Sequence, residues 1–402
     1  MSRRELRIAI LGAGIMGCSL ALNLARRGAR ITLVDQAAAP MAAASRWNEG
    51  KIHLGYLYSG DPSLATARKL LPGSLAFRSD IEELIDQSLQ PAVSVADDIY
   101  LTHRDSVVDA TAMAAYFDEV SHLVRSHPDR HRYLADLTDA HAIQLSEHEL
   151  GEITNASLIV AGFRVPERSV QTGWLADRLA AAVFAQRLIE VITHARVDRV
   201  VESDGRWRII GSMPDAGRFD VVINSLWHGR GLVDAASGFA SPNIWSYRYR
   251  LALFVRSGRP SRIASAVIAT GPFGDIKNYN GRDLYLSWYP AGLVVNNDSG
   301  DPAAASATIP DVVPDHLVES ILRGLGDYFP EVVELAGPDT DRVVAGGWVV
   351  APGRGSLTDP NSDLHRRNRF GVTRIGSYYT IDTGKYATAP WLARRVTLEI
   401  MG

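Results

Sequence analysis

Cysteine is almost absent from this chain of 402 residues, in which Cys18 is the one example. A single thiol excludes an internal disulfide framework and a metal site built from several cysteines. The histidines between residues 126 and 150 are expected to lie at the surface. We therefore expect no metal site, and a reducing, cytoplasmic environment fits the cysteine content best.

Long apolar runs and an excess of one charge are also missing. No run of about 18 apolar residues occurs, so we expect no membrane span. The chain has 42 basic and 45 acidic side chains, a net charge of −3, which gives no reason to expect nucleic acid as a partner. What remains is an ordinary soluble composition in a chain long enough for two domains.

A strand, a glycine turn, a helix and a second strand are predicted at the start of the chain. Two short apolar runs flank the pattern G-x-G-x-x-G, formed by Gly12, Gly14 and Gly17, and the second run ends at Asp35. The glycines permit a tight turn, close approach of a pyrophosphate and close packing of helix on strand, while the acid accepts hydrogen bonds from a ribose. The stretch therefore predicts an adenine-dinucleotide site, either FAD or NAD.

The remaining patterns predict both α/β and antiparallel segments. The Asp204-Gly205 pair is a turn signal and predicts a β-hairpin. Helices are predicted over 62–84, 109–125, 174–186, 315–326 and 391–400, and strands over 91–102, 188–193, 220–224, 245–256, 282–296 and 375–379. This alternation predicts a substrate domain inserted in pieces into a nucleotide-binding domain.

A second motif runs from Ala44 to Tyr56 and reads ASRWNEGKIHLGY. With the glycine turn it resembles the flavoprotein family of D-amino acid oxidase, glycine oxidase and sarcosine oxidase. Within that superfamily, the pattern that contains Asn48, Gly50 and His53 is similar to L-2-hydroxyglutarate dehydrogenase, and a related run occurs in glycerol-3-phosphate dehydrogenases. The resemblance implies an α/β fold: a Rossmann-like FAD-binding domain (1–85, 157–235 and 337–402) and an interleaved antiparallel-sheet substrate domain (86–156 and 236–336).

A third match lies near the end of the chain. The segment from Thr383 to Pro390 is similar to the G-K-x-T segment that precedes the last helix of these flavoproteins, although a plain helix entry is the alternative. The resemblance implies that Lys385 stabilises negative charge on the reduced flavin. It also favours FAD over NAD, because a nicotinamide enzyme does not need this segment.

Together, the glycine turn and the resemblance predict the cofactor-binding residues. These are Gly12, Gly14, Ile15, Met16, Gly17, Asp35, Gln36, Ser45, Asn48, Gly50, Lys51, Ile52, Val197, Trp227, Gly384, Lys385 and Tyr386. Leu226 and Trp227 depart from the small residues that the family has at this turn. No cysteine lies near the C-terminus, which excludes a cysteinyl flavin link, and a link through His53 stays open.

The candidate substrate residues lie on two predicted strands and one loop. Arg248 and Arg250 share one face of a strand, where an arginine binds a carboxylate in fork geometry. Tyr285 and Tyr289 share a face of the next predicted strand, and Arg354 lies in a glycine-rich loop.

The resulting hypothesis is an FAD-dependent oxidoreductase that oxidises a C–N or C–O bond of a small, anionic amine, amino acid or 2-hydroxy acid by hydride transfer to flavin N5. The predicted catalytic residues are His53 for the proton, Arg250 for the anion and Lys385 for the flavin. The electron acceptor stays open, with oxygen one possibility. The alternatives are a flavin-containing binding or tailoring protein without ordinary redox turnover and an NAD-dependent dehydrogenase.

Overall fold

The structure is a computed structural model that describes residues 5–154, 157–239, 243–301, 303, 316–337 and 340–402. Residue 315, where one helix was predicted to begin, and residue 156, an expected domain limit, lie outside these ranges. Within them, no helix is both long and apolar enough to cross a membrane.

The strands alternate with helices along the chain. The strands are β1 (Arg7–Leu11), β2 (Arg30–Val34), β3 (Lys51–Ile52), β4 (Asp98–His103), β5 (Ile143–Gln144), β6 (Ile159–Val165), β7 (Arg168–Ser169), β8 (Ile189–Ile192), β9 (Val197–Ser203), β10 (Arg206–Gly211), β11 (Val221–Asn224), β12 (Trp245–Arg256), β13 (Ala266–Ala269), β14 (Gly274–Asn278), β15 (Asp283–Trp288), β16 (Leu293–Asn297), β17 (Asp341–Pro352), β18 (Gly371–Ile375) and β19 (Tyr378–Asp382). The helices are α1 (Ile15–Arg26), α2 (Ala65–Ile85), α3 (Ala110–Ser126), α4 (Glu147–Ile153), α5 (Thr172–Ala185), α6 (Arg230–Ala236), α7 (Tyr289–Gly292), α8 (Leu317–Gly326), α9 (Glu331–Leu335) and α10 (Ala389–Met401).

The first sheet carries the glycine turn and has the order β18-β19-β11-β1-β2-β8. All its neighbours pair in parallel except β18, which is antiparallel to β19. Alternate residues of β1 face opposite layers: Ile8 and Ile10 pack with helices α1, α2, α5 and α10, whereas Ala9 and Leu11 pack with the β9–β10 hairpin. A largely parallel sheet covered on both faces confirms the predicted Rossmann-like α/β half.

The second sheet is mainly antiparallel and has the order β16-β12-β15-β14-β13-β4-β6-β5, with β17 paired to β12. Helices α8 and α9 cover one face, where Leu251, Leu253 and Val255 of β12 are buried. The opposite face carries Arg248 and Arg250 of the same strand, as its period of two requires. The apolar face therefore anchors the strand, and the polar face is left for the site.

Two predicted strands are interrupted, which corrects the sequence interpretation. The run 282–296 is two strands separated by the helical turn α7, because Pro290 cannot donate a ladder hydrogen bond. The run 375–379 spans the turn between β18 and β19, where Gly376 has a φ of +60°. In addition, the predicted strand 91–102 forms a regular strand only from Asp98, and before it Val93 makes an isolated bridge to Val170.

The sheets also divide the chain differently from the expected domain boundaries. Strand β6 pairs with β4, and β17 pairs with β12, so both belong to the second sheet although each falls in a segment assigned to the FAD-binding domain. The sequence alone could not reveal this, because each of these strands is apolar enough for both sheets. Only the strand with which it pairs decides the sheet to which it belongs.

Replacing Gly17 with alanine should destabilise the fold. A Cβ at Gly17 would lie 1.8 Å from the backbone oxygen of Gly12, which cannot move unless the turn moves. We expect a loss of about 1–3 kcal/mol or more in the free energy of unfolding, measured in urea.

The matched control is Gly173→Ala in helix α5, where an added Cβ meets nothing within 4 Å. This variant should be as stable as the parent or slightly more stable. Equal stability of the two variants would contradict the packing role of Gly17.

Candidate functional site

The glycine turn is fixed by backbone contacts that exclude larger side chains. Gly12 has a φ of +95°, and a Cβ there would lie 2.8 Å from the carbonyl oxygen of Ser225. The amide of Gly12 donates to the carbonyl oxygen of Val34 at 2.7 Å. With the close approach of Gly17 described above, these contacts join β1, β2, β11 and the start of α1 at the carboxyl edge of the sheet.

The middle glycine leaves space at the helix start. A Cβ on Gly14 would lie 2.9 Å from Ser45 Oγ, and the amide of Ile15 donates to that same oxygen at 2.9 Å. The next residue, Met16, is buried in the core. Ser45 thus meets the positive end of helix α1, where backbone amides bind phosphate groups.

The acid at the end of β2 faces the same turn. Asp35 Oδ2 accepts a hydrogen bond from the amide of Ala13 at 2.6 Å, and Oδ1 accepts from Ala37 at 2.8 Å. The side chain of Gln36 is exposed, whereas Val197 is buried in the cluster that contains Val34. These residues form the end of the site that suits an adenosine.

The loop of the second motif is folded by its own polar groups. Asn48 Oδ1 accepts from the amide of Gly50 at 2.8 Å, and Asn48 Nδ2 donates to the carbonyl oxygen of Ala44 at 2.9 Å. Gly50 has a φ of +65°, and its Cβ would lie 1.9 Å from the carbonyl oxygen of Val170. Ile52 is buried in the short ladder with β7. The loop therefore delivers the next residue, His53, to a fixed position.

Lys51 enters a buried charge network beneath this loop. Its ammonium and that of Lys277 each lie 2.7 Å from Asp98 Oδ2. Lys51 also donates to Tyr100 Oη at 3.0 Å, and its ammonium lies 3.7 Å from Glu167. Burial by itself raises the pKa of Asp98, but the two lysines hold it below its ordinary value. The sequence predicted Lys51 at the cofactor; in the structure its ammonium joins this network and the residue also lines the cavity beside His53, so its cofactor role stays a prediction.

Glu167 ties the network to the histidine loop. Its Oε1 accepts from the amides of Leu54 and Gly55 at 2.6 and 3.2 Å, and Oε2 accepts from Tyr100 Oη at 2.7 Å. Nothing in the sequence singled out Glu167 or Asp98, because their partners lie far away along the chain. Within the described ranges, no three His, Cys, Asp or Glu side chains are grouped so as to hold a metal ion.

His53 is buried, yet both of its ring nitrogens have no hydrogen-bond partner among the described residues. The nearest carboxylate oxygens, on Glu49 and Glu167, are each 4.0 Å away. Burial first, and then the charge of Lys385, keep the pKa of His53 well below its ordinary value. The imidazole is therefore neutral, with a free lone pair beside the cavity.

The closing segment brings Lys385 to the same place. Gly384 has a φ of +68°, and the Lys385 ammonium lies 5.6 Å from the centre of the Tyr58 ring. Burial lowers the pKa of Lys385 to about 8, and the neighbouring Arg367 lowers it in the same direction. The next residue, Tyr386, has a buried hydroxyl with no partner among the described residues.

Trp227 is directed away from the cavity. Its backbone has a φ of +56°, and its Nε1 donates to the carbonyl oxygen of Trp348 at 2.8 Å. The indole packs against the aromatic cluster of β12 and β17. In the structure, this departure from the small family turn therefore serves packing between the two sheets.

The cavity beside His53 has a volume of about 210 Å³ and is lined by both halves of the chain. Arg248 donates to Tyr289 Oη at 2.9 Å, while the Arg250 guanidinium lies 4.6 Å from the centre of the same ring. Arg250 also donates to Ser287 at 2.6 Å and lies 3.8 Å from Asp275. The structure thus brings together Arg248, Arg250 and Tyr289, all of which were predicted at the substrate.

Two other predicted substrate residues lie elsewhere. Arg354 is exposed and donates to the carbonyl oxygen of Ser299, outside the cavity, so its expected position is corrected. Tyr285 packs against Phe254, 5.3 Å between ring centres, behind the cavity wall. It does not line the cavity because the break at α7 separates Tyr289 from the strand that holds Tyr285.

Arg367 lines the cavity although no sequence signal marked it. It is buried, and its Nη1 donates to the carbonyl oxygen of Val350 at 3.0 Å. Burial first, and then the charge of Arg248, lower its pKa to about 10. The arginine-rich run from Arg366 to Arg369 was a weak indication, but only the fold shows which of its members turns inward.

These features fit a dinucleotide that extends from Asp35 to Lys385. Along this path lie the start of helix α1, where Gly14 has no side chain between the helix and Ser45, the Asp35 carboxylate at the end of β2, and the buried His53, whose ring nitrogens have no partner among the described residues. The individual cofactor and substrate roles of these residues stay predictions.

Comparison with known proteins identifies the cofactor. The profile of the family described as "DAO: FAD dependent oxidoreductase" matches residues 7–378. This match confirms the resemblance drawn from the sequence motifs and the expectation of FAD. FAD, rather than NAD, is the cofactor of this family.

Solved structures with the same fold cover almost the whole chain. Iminodiacetate oxidase from Chelativorans sp. BNC1 has 15% identity and a TM-score of 0.69, with 98% of this chain and 95% of that chain covered. Glycine oxidase from Geobacillus kaustophilus has 15% identity and a TM-score of 0.66, with 98% and 94% covered. At this identity the likeness shows the fold, and it confirms the fold class.

A curated relative matches a short segment. The tRNA 5-methylaminomethyl-2-thiouridine biosynthesis bifunctional protein MnmC of Marinobacter nauticus (strain ATCC 700491 / DSM 11845 / VT8) is 47% identical over 60 residues. The match covers 14% of this chain and only 10% of the length of that relative.

Gly14→Ala should weaken FAD binding at least tenfold, because the added methyl occupies the space at the helix start. Ser45→Ala alone removes one hydrogen bond and should cost about 2- to 12-fold. Both dissociation constants are measured by titrating the apoprotein with FAD and following flavin fluorescence.

The double variant Gly14→Ala/Ser45→Ala separates two causes. It removes the clash with Ser45 Oγ but keeps the methyl group in the phosphate space. We expect its affinity for FAD to stay as weak as that of Gly14→Ala. If its affinity instead recovers to that of Ser45→Ala, Gly14 is needed only to make room for the Ser45 side chain.

Proposed function

Because the chain belongs to the DAO family of FAD-dependent oxidoreductases, we propose that it oxidises the C–N bond of a small amino acid or related carboxylate-bearing amine. The observation that carries the substrate class is the charge of the cavity, whose volume is about 210 Å³: Arg248, Arg250, Arg367 and Lys385 line it together with the carboxylates of Glu49 and Asp275. The amine class is supported by the similar solved structures, whose names are those of glycine and iminodiacetate oxidases.

Bound FAD would supply the oxidant, as the acceptor of a hydride from the substrate carbon. The chain binds and orients the substrate: a guanidinium holds a carboxylate through parallel hydrogen bonds, and Arg248 and Arg250 each have a buried Nε without a partner among the described residues. Tyr289 lies against both arginines and fixes their positions.

The positive cavity also selects the protonation state of the amine. An ammonium is repelled by the arginines, whereas the neutral amine of an amino acid anion is not. A neutral amine has the lone pair that drives loss of the hydride. His53, which is held neutral, can accept a hydrogen bond from the N–H of this neutral amine and orient its lone pair.

A 2-hydroxy acid is the second candidate, favoured by the same histidine. Oxidation of a hydroxyl group needs a base more strongly than oxidation of an amine, and His53 is a buried, neutral base at the cavity wall. The motif around Asn48, Gly50 and His53 also resembles that of a hydroxy-acid dehydrogenase.

Anaerobic reduction of the flavin tests the proposal. The purified protein is mixed with amino acids, N-alkyl amino acids and 2-hydroxy acids, and the loss of flavin absorbance is followed. We expect amino or N-alkyl amino acids to bleach the flavin and amines without a carboxylate to fail. Bleaching by hydroxy acids alone would replace the proposed reaction with the second candidate, and bleaching by dithionite but by no substrate would contradict both.

The pKa of Lys385 predicts the pH above which the rate of flavin reduction falls. Its ammonium is present below its pKa of about 8 and is lost above it. If this charge stabilises the reduced flavin, the rate of flavin reduction should fall as the pH rises through about 8. Lys385→Met should lower the rate by about 10²–10³-fold, the usual effect of losing such a donor.

Lys385→Arg is the matched control, because arginine stays charged throughout this range. The variant should keep part of the rate of flavin reduction, and this rate should no longer fall near pH 8. If the rate of Lys385→Arg falls near pH 8 as it does in the parent, another group is responsible for the titration.

A further inference from the structure

Positive charge in the cavity is only partly balanced. Arg250 has Asp275 at 3.8 Å, but none of the ion pairs in the described ranges, counted to 4.0 Å, includes Arg248 or Arg367. The carboxyl groups of Asp275 and Glu49 both line the cavity. Burial by itself raises the pKa of Glu49, but the charges of Lys385 and Arg250 hold it below its ordinary value, so Glu49 is a counter-charge for these two cations. Buried charges are normally paired. Arg248 and Arg367 lack a carboxylate within 4.0 Å among the described residues, so this part of the cavity can accept further negative charge.

Arg248 and Arg367 both line this cavity, close enough for their charges to interact. The charge of Arg248 is the largest influence, after burial, that lowers the pKa of Arg367. Like charges repel strongly where water is excluded. An acidic group placed between the two guanidiniums turns this repulsion into two attractions, and each guanidinium is already held by a neutral acceptor, Tyr289 Oη or the Val350 carbonyl oxygen.

Arg250 forms a separate anchor point on the other side of Tyr289. Its guanidinium lies over the ring, whereas Arg248 reaches the hydroxyl at the edge. Arg248 and Arg250 each keep one buried Nε with no partner within the described ranges. The two guanidiniums thus meet different parts of Tyr289, one its hydroxyl and the other its ring face.

We propose that the substrate carries two acidic groups, one bound between Arg248 and Arg367 and the other bound at Arg250. This inference deepens the proposed function and depends on it for the reacting bond. The class is a small amino or imino dicarboxylate. A monocarboxylate would leave one of the two donor sets unpaired.

Succinate and butyrate form a matched pair of unreactive ligands that differ by one carboxylate. Binding to the FAD-containing protein is measured by calorimetry and by the change in the flavin spectrum. We expect succinate to bind at least tenfold more tightly than butyrate. Equal affinities would overturn the proposal.

Arg367→Met should remove the difference. Succinate should lose at least tenfold in affinity, while butyrate, held at Arg250, should change by less than about threefold. Arg248→Met should give the same pattern and serves as the second variant if Arg367→Met does not fold. Arg366→Met is the control, since this neighbouring arginine is exposed. If Arg367→Met weakens both ligands equally, the cavity has one shared anion site and the proposal is wrong.

Iminodiacetate and N-methylglycine extend the test to turnover, because both are secondary amines of glycine and differ in the second carboxylate. We expect iminodiacetate to reduce the flavin anaerobically with the higher kcat/KM. If neither reduces the flavin although succinate is preferred over butyrate, the proposed reaction fails and the dicarboxylate site stands. If both reduce it equally well, the proposed reaction stands and the second anion site does not.

Discussion

Positive charge that the walls of a buried cavity balance only in part is the constraint on which the rest of this site depends. Arg248, Arg250 and Arg367 are brought together by a long strand and a distant loop, and each is largely removed from water. Such an arrangement costs free energy unless an anion joins it. The cost is tolerated because β12 is anchored by Leu251 and Leu253 on its other face, so the arginines cannot simply swing into solvent.

The charge network beneath His53 shows how this protein treats charges that need no ligand. Lys51 and Lys277 share Asp98, and Glu167 lies close to Lys51, so two positive and two negative side chains balance one another. The network also holds the backbone after His53 through Glu167. Arg248, Arg250 and Arg367 differ from this network, because among them only Arg250 has a carboxylate within 4.0 Å in the described ranges. This contrast supports the proposal that the three arginines bind the substrate.

Much of the dinucleotide half could be predicted from the sequence because its signals are local. The roles of Gly12 and Gly17 follow from spacing alone, and the shared face of Arg248 and Arg250 follows from the period of a strand. Arg367 could not be found in this way, because it meets Arg248 only after the chain has folded across more than a hundred residues. The turn at Pro290 shows the same limit, since it moves Tyr289 into the cavity and leaves Tyr285 behind.

The most direct measurement is a crystal structure of the FAD-containing protein with bound succinate. We expect one carboxylate of succinate between the guanidiniums of Arg248 and Arg367 and the other at Arg250. Its carbon chain should pass Tyr289 in the cavity beside His53. Succinate bound outside this cavity, or held by Arg250 through one carboxylate with the other in solvent, would contradict it.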